Sequence, residues 1–226
     1  MPLLVAPHLP VGTFSAQPQP HLTGSTIALR PWIDADIPTL VLAYADHDIQ
    51  RWHCRSLDDD EAAATIHQWH SSWAAETGAS WAVTGLDGGS AIGRVAFREL
   101  DLADGFAEVG YWVLPSARRR GVAADSVTTL SRWAFDAVGL HRLELQHSVR
   151  NTASCRVAAA TGFVPEGTLR ASGLHTDGWH DMHVHARLRT DTIGRRGTDD
   201  GYTLKRNSTT SPFGLIEDLG RTRGRD

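Results

Sequence analysis

Arg118, Arg119 and Arg120 stand directly before Gly121, Val122 and Ala123, where an apolar helical pattern begins. Adjacent guanidinium groups repel one another, so the run is either a solvated basic turn or the lip of an anion site. A helix N-terminus offers unpaired N–H groups and partial positive charge, and a glycine there lets a ligand approach the backbone, which suits phosphate. Upstream, Glu108 shares a strand face with Gly110 and Trp112. A carboxylate there can hold a water or accept a proton, or simply begin an exposed edge strand. Downstream, Asn151 has the type and position of an N-cap, which sets Ser154 at the third helical position. Asp181, His183 and His185 alternate along one strand face, but ligands spaced along a single strand diverge and need a further partner. They read as a polar face with no metal, His183 being a candidate substrate contact. The acidic run Asp58, Asp59, Asp60, Glu61 complements a helix dipole.

These groups need elements to carry them. Residues 25–32 read as a strand, and residues 34–46 as a helix with Asp34 as cap and Pro38 in the first turn. Residues 56–76 form a firmer helix. Ser56 with Asp59 makes a capping box there, and Ile66, Trp69 and Trp73 recur at spacings of three and four as a core stripe. Residues 80–86 and 91–100 form a hairpin across Asp87, Gly88 and Gly89, because glycine supplies positive φ cheaply. A strand at 106–114, a helix at 121–138 closed by Gly139, a strand at 141–149, a helix at 151–161 stopped by Gly162 and a strand at 179–189 follow. The order β α α β β β α β α β β indicates an α/β domain with a mixed sheet.

Composition bounds the function. The chain of 226 residues, 41% hydrophobic, is long enough for one domain with a sizeable core. Residues 1–22 read as a flexible arm, since the first twenty hold five prolines, no charged side chain and no periodic apolar face. Residues 23–190 form the domain, and residues 191–226 a flexible tail whose short apolar patch is Phe213, Leu215 and Ile216. The domain carries fifteen arginines and no lysine against twenty carboxylates, the opposite of a nucleic-acid surface. Cys54 and Cys155 have no metal or redox spacing and point to a reducing compartment. No stretch approaches the ~18–20 apolar residues that span a bilayer. The expected location is the cytoplasm, with neither nucleic acid nor membrane as a partner.

The segments EVGYWVLPSARRRGVAADSV, LHRLELQHSVRNTASCRVAAATGFVPEGTLR and GWHDMHVHARL, in that order and spacing, resemble the GCN5-related N-acetyltransferase (GNAT) superfamily. The likeness covers about residues 25–190 and is greatest to the RimJ/RimL-like branch, the ribosomal-protein N-terminal acetyltransferases. It implies a mixed, mostly antiparallel sheet flanked by helices, with a V-shaped opening between central strands for the co-substrate acetyl-CoA. It also implies that Arg118, Arg119, Arg120, Gly121, Val122 and Ala123 wrap the pyrophosphate, one or two of the arginines touching it while another faces water. Backbone at Val113 and Leu114 would pair with the pantetheine arm and supply oxyanion amides. Asn151 would lie near the cofactor, and Ser154 would protonate the departing thiolate. The branch's base-like glutamate falls at Gly173, so the base is Glu108 or His175, or the amine arrives unprotonated. Trp32 and Trp52 fall in the segment that covers the acceptor site. A peptide or protein N-terminus is the first choice of acceptor, a small amine such as a polyamine or antibiotic the second. A non-catalytic acyl-CoA sensor is the alternative class, and a homodimer is admitted.

Overall fold

The computed structural model describes residues 4–191. Its elements are β1 (Leu22–Thr23), β2 (Ile27–Pro31), α1 (Ile37–Ala45), α2 (His47–His53), α3 (Asp59–Ala74), β3 (Ala79–Gly85), β4 (Gly93–Asp101), β5 (Phe106–Val113), α4 (Val122–Trp133), β6 (Arg142–Ser148), α5 (Thr152–Ala160), β7 (Val164–His175) and β8 (Gly178–Leu188). All eight strands form one sheet in the order β1-β2-β3-β4-β5-β6-β8-β7. Every neighbouring pair is antiparallel except β5 with β6. That parallel pairing joins only Phe106–Glu108 to Arg142–Glu144, after which the two strands part. The mixed sheet with a V-shaped opening is therefore the observed architecture.

Alternation along the strands builds a core on each face. Val109 of β5 packs with Val95, Phe97, Leu143 and Leu145 against Val127 and Leu130 of α4. Its even-numbered neighbour Trp112 packs with Leu114 on the other face, among Trp32, Leu40, Tyr44, Ile49 and Ile66 from the α1–α3 layer. Among the described residues no helix is long and apolar enough to cross a membrane.

Three sequence readings are corrected. The capping box of α3 is made by Asp58 and Glu61, whose carboxylates accept each other's backbone N–H at 2.8 and 3.0 Å, rather than by Ser56 and Asp59. Asp34 begins a short 3-10 turn, and α1 starts after Asp36, whose carboxylate holds Arg30 through two bonds of 2.6 and 2.8 Å. Most consequentially, the described part of the N-terminal arm is packed. Phe14 is 1% exposed and meets Trp73, Trp133 and Phe97 edge to face. Glu76 accepts the N–H groups of Gly12, Phe14 and Ser15, and burial, which works against its charge, is outweighed by these donors so that its pKa falls. The indole N–H groups of Trp73 and Trp81 bond the carbonyls of Gln17 and Pro20. One aromatic anchor and a remote carboxylate secure the arm, and neither produces periodicity. The tail reading, including Phe213, Leu215 and Ile216, lies outside the described residues.

Candidate active site

Where β5 and β6 part, each flank of the opening holds a cavity. The first, about 550 Å3, runs between α2, the end of β5, the N-terminus of α4 and α5. The second, about 400 Å3, lies below α2 and α3 and reaches β6. Trp52, His53, Tyr111, Asn151 and Ser154 line both. An acyl donor in one and an amine in the other would meet at these residues.

The first cavity is mainly apolar, with Ile49, Val113, Val122 and Val157 in its wall. Its polar end is the N-terminus of α4. Gly121, at φ 78°, is the N-cap, and no side chain caps the helix. The first helical bond runs from Asp125 N–H to the Gly121 carbonyl at 2.9 Å, which leaves the amides of Val122, Ala123 and Ala124 open. Asp125 does not oppose an anion there, because its carboxylate is turned to the amides of Ser25 and Thr26 at 3.0 and 2.6 Å. Arg119 is exposed and lines the cavity, whereas Arg120 is exposed and lines neither cavity. Arg118 also lines this cavity and is tied to protein partners as well. Its guanidinium bonds Asp48 at 2.6 Å, Asp46 at 2.7 Å and the Val113 carbonyl at 3.1 Å, tying the loop to the start of α2.

Backbone polarity of β5 separates Val113 from Leu114. The Leu114 N–H bonds the Ile92 carbonyl at 2.9 Å and its side chain is buried, so this residue offers nothing to a ligand. Hydrogen bonding alternates along an antiparallel pair. Val113 and Tyr111 therefore turn their amides to the other edge, where β6 has diverged.

At the junction, Asn151 caps α5 by accepting the Ser154 N–H at 3.1 Å. The Ser154 hydroxyl faces Tyr111, whose buried phenol makes no hydrogen bond of good geometry. Burial pushes that phenol up to about 12, against the lowering influence of Ser154, so it stays protonated. His53, at the end of α2, was not singled out by sequence. Burial and the positive field of Arg94, Arg98 and Arg55 bring it down to about 4, against the Tyr111 carbonyl. It is a neutral imidazole, and its only sequence signal was a histidine ending an unremarked helix.

Glu108 does not line either cavity. It bonds Arg98 at 3.0 Å, one layer below the opening. Burial raises its pKa, Arg98 opposes this, and the neighbouring Glu144 and Glu99 add to it. Arg98 lies across Gly110, where a Cβ would approach its Cδ to 2.4 Å.

The second cavity contains Arg55, Arg94 and Arg98 and no Asp or Glu. Arg94 is 9% exposed, bonds only Ser80 Oγ among the described residues, through Nε at 2.8 Å, and lies 4.4 Å from the centre of the Trp69 ring. Burial brings it down to about 10, with the nearby arginines adding and Tyr44 opposing. Of the tryptophans, Trp52 lines the site, Trp69 packs against the core as its stripe predicts and also borders this cavity, and Trp32, 1% exposed, is core. His175 lines this cavity and its Nδ1 sits 3.1 Å from the Arg51 carbonyl and 3.5 Å from Cys54 Sγ. At Gly173 a Cβ would come within 2.6 Å of Met182 Sδ, so a longer side chain there requires the Met182 thioether to move. His183 lines neither cavity. The further partners that His183 and His185 would need are close by: β6 sets His147 opposite His183, and α5 adds Cys155.

The comparisons identify the family to which this fold, with its paired clefts, belongs. Residues 26–164 match the family model described as Acetyltransferase (GNAT) domain, and the chain belongs to that family of acetyltransferase enzymes. It is similar to the uncharacterized N-acetyltransferase YoaA of Bacillus subtilis, 24% identical over 172 residues, 75% of this chain and 97% of the relative. The ribosomal-protein-serine acetyltransferase of Escherichia coli is 28% identical over 97 residues, 43% of this chain and 54% of the relative. Among solved structures, the ribosomal-protein alpha-N acetyltransferase RimL in complex with coenzyme A superposes with a TM-score of 0.69 at 18% identity, covering 75% of this chain and 98% of that one. The RimL-like resemblance read from the sequence is supported by these relatives.

Proposed function

We propose that this enzyme moves the acetyl group of acetyl-CoA to the primary amine of an acceptor carrying an anionic group near that amine, an acidic peptide N-terminus being the first choice. The observation that carries this is Arg94: a buried guanidinium costs several kcal/mol unless an anion compensates it, and among the described residues it has no carboxylate partner. A carboxylate of the acceptor completes the pair. A polyamine would bring more positive charge to a cleft lined by three arginines and no acid. The relatives named as ribosomal-protein acetyltransferases support a peptide or protein acceptor.

The donor fits the first cavity because open helix amides and Arg119 meet a pyrophosphate while the apolar wall meets the pantetheine arm. When bound, acetyl-CoA supplies the thioester that the amine attacks. His53 takes the ammonium proton. Burial is the larger cause of the depressed His53 pKa, and an anion docked on Arg94 and Arg98 offsets only the smaller part that comes from the arginine field. The Val113 N–H donates to the oxyanion as the carbon–nitrogen bond forms. As the carbon–sulfur bond breaks, Ser154, with the protonated Tyr111 beside it, gives its proton to the thiolate and takes the second proton of the acceptor nitrogen, while the first leaves His53 to solvent.

The test is steady release of CoA thiol from acetyl-CoA with an acidic-N-terminal peptide, together with gain of one acetyl group on the peptide α-amine. Tight acetyl-CoA binding with no transfer to any amine of a broad panel would favour the sensor reading.

A further inference from the structure

His147, Cys155, His183 and His185 come together on the sheet face covered by α5, beside the acceptor cleft but apart from the residues assigned to acetyl transfer. Each offers one ligand atom, and these atoms all lie within 4.8 Å of one another. The sheet explains the histidines: His147 of β6 stands directly opposite His183 of β8, and His185 follows two residues on along the same face. Cys155 comes down on them from the first turns of α5.

The hydrogen bonding leaves this cluster open. His147 Nδ1 lies 2.8 Å from the Ser148 carbonyl, which can only accept, so the ring proton is on Nδ1 and Nε2 is a bare lone pair. A backbone carbonyl fixing one imidazole nitrogen is the usual support of a histidine that ligates through the other. His147 Nε2 accepts the Nε2–H of His185 at 3.2 Å, and among the described residues His185 Nδ1 is buried with no partner. Among the described residues, neither the His183 ring nor the Cys155 thiol makes a side-chain hydrogen bond in this cluster.

We infer that His147, Cys155, His183 and His185 form a binding site for a divalent transition-metal ion of the zinc class. Two nitrogens of a tetrahedral zinc site stand roughly 3.3 Å apart, from Zn–N lengths of about 2.0–2.1 Å, which is close to the His147–His185 spacing. The widest separation in the cluster closes to that geometry by about 1 Å of side-chain rotation. Nitrogen and sulfur donors with no oxygen ligand select zinc, cobalt or copper over magnesium or calcium. Binding releases the thiol proton of Cys155 to solvent and forms a thiolate–metal bond. The ion ties α5 to β6 and β8 one residue from Ser154, and so stiffens the far wall of the acceptor cleft.

The experiment uses the full chain, stripped with a chelator and titrated with Co2+ alone. The expected result is the intense visible absorption of tetrahedral cobalt with a thiolate charge-transfer band, both displaced by Zn2+. Zn2+ should also slow alkylation of Cys155 at least about tenfold while leaving Cys54 unprotected, the two thiols being separated by peptide mass spectrometry. Cys155→Ser and His183→Ala should each abolish the charge-transfer band or weaken binding at least about tenfold. Where a variant fails to fold, the alkylation contrast in the unmodified chain decides. A weak octahedral spectrum, protection of Cys54 in place of Cys155, or binding unchanged in both variants overturns the proposal.

Discussion

Arg94 sits over the ring of Trp69, its guanidinium carbon 4.4 Å from the ring centre, with Ser80 Oγ as its hydrogen-bond partner. A structural arginine would be paired, and removing it would destabilise the protein. An anion-binding arginine held in place by an aromatic plate behaves in the opposite way. Arg94→Met is expected to leave the melting temperature unchanged or raise it, because a buried unpaired charge is removed. It should raise KM for an acidic acceptor by roughly ten- to a hundredfold, the loss of one charge-assisted bond worth about 1.5–3 kcal/mol. Thermal melts alongside acceptor saturation curves check both halves.

The three loop arginines should separate by function. Arg119→Glu places a carboxylate beside the open amides of α4 and should weaken acetyl-CoA binding at least tenfold, or about 1.4 kcal/mol, with the melting temperature of the free protein unchanged. Arg118→Ala removes the ties to Asp46 and Asp48, half-exposed pairs, and should cost about 1 kcal/mol of stability. Arg120→Ala should do neither. Calorimetric titration with CoA and denaturant unfolding distinguish the three.

His53 sets a pH dependence of stability. Its folded pKa of about 4 lies below the ~6.5 of an unfolded histidine, so the unfolded chain binds more protons between those values. Its contribution is fully present above pH ~6.5 and is lost as pH falls toward 4, by at most about 3 kcal/mol. The His53→Gln variant should show a flatter stability profile over that window, measured by urea unfolding at successive pH values.

Much of the architecture was legible because periodicity and capping are local signals. The hairpin around Gly88, the α4 and α5 helices and the Leu143–Leu145 face all appear where the pattern put them. The site was half legible for the same reason. Gly121 and Asn151 mark helix starts, so the loop and Ser154 could be found, while the partners that decide chemistry come from remote strands and helices. Arg118 lines the donor cavity but is also held by Asp46 and Asp48 at the start of α2, a helix whose short apolar pattern gave no warning. Arg94 looks in sequence like any polar residue of an alternating strand, and only its burial without a counter-ion marks it. Trp32 went to the core, and Trp69, packed against that core, also borders the cleft, because an aromatic ring suits either setting.

The N-terminal segment offers a test of packing. Phe14→Ala is expected to lower stability by about 3–5 kcal/mol, the cost of emptying an enclosed aromatic site. Glu76→Gln should cost less, since an amide oxygen retains part of the capping of Gly12, Phe14 and Ser15. Denaturant unfolding of both variants gives the ranking.

The central claim is that an arginine-lined cleft selects an anionic acceptor, and the most direct measurement is kcat/KM for two peptides of identical length that differ only in bearing aspartate or lysine next to the N-terminal residue. With acetyl-CoA saturating, the acidic peptide should be preferred at least tenfold, and the Arg94→Met enzyme should lose most of that preference. Equal rates for the two peptides, or a preference for the lysine peptide or for a polyamine, would contradict the account.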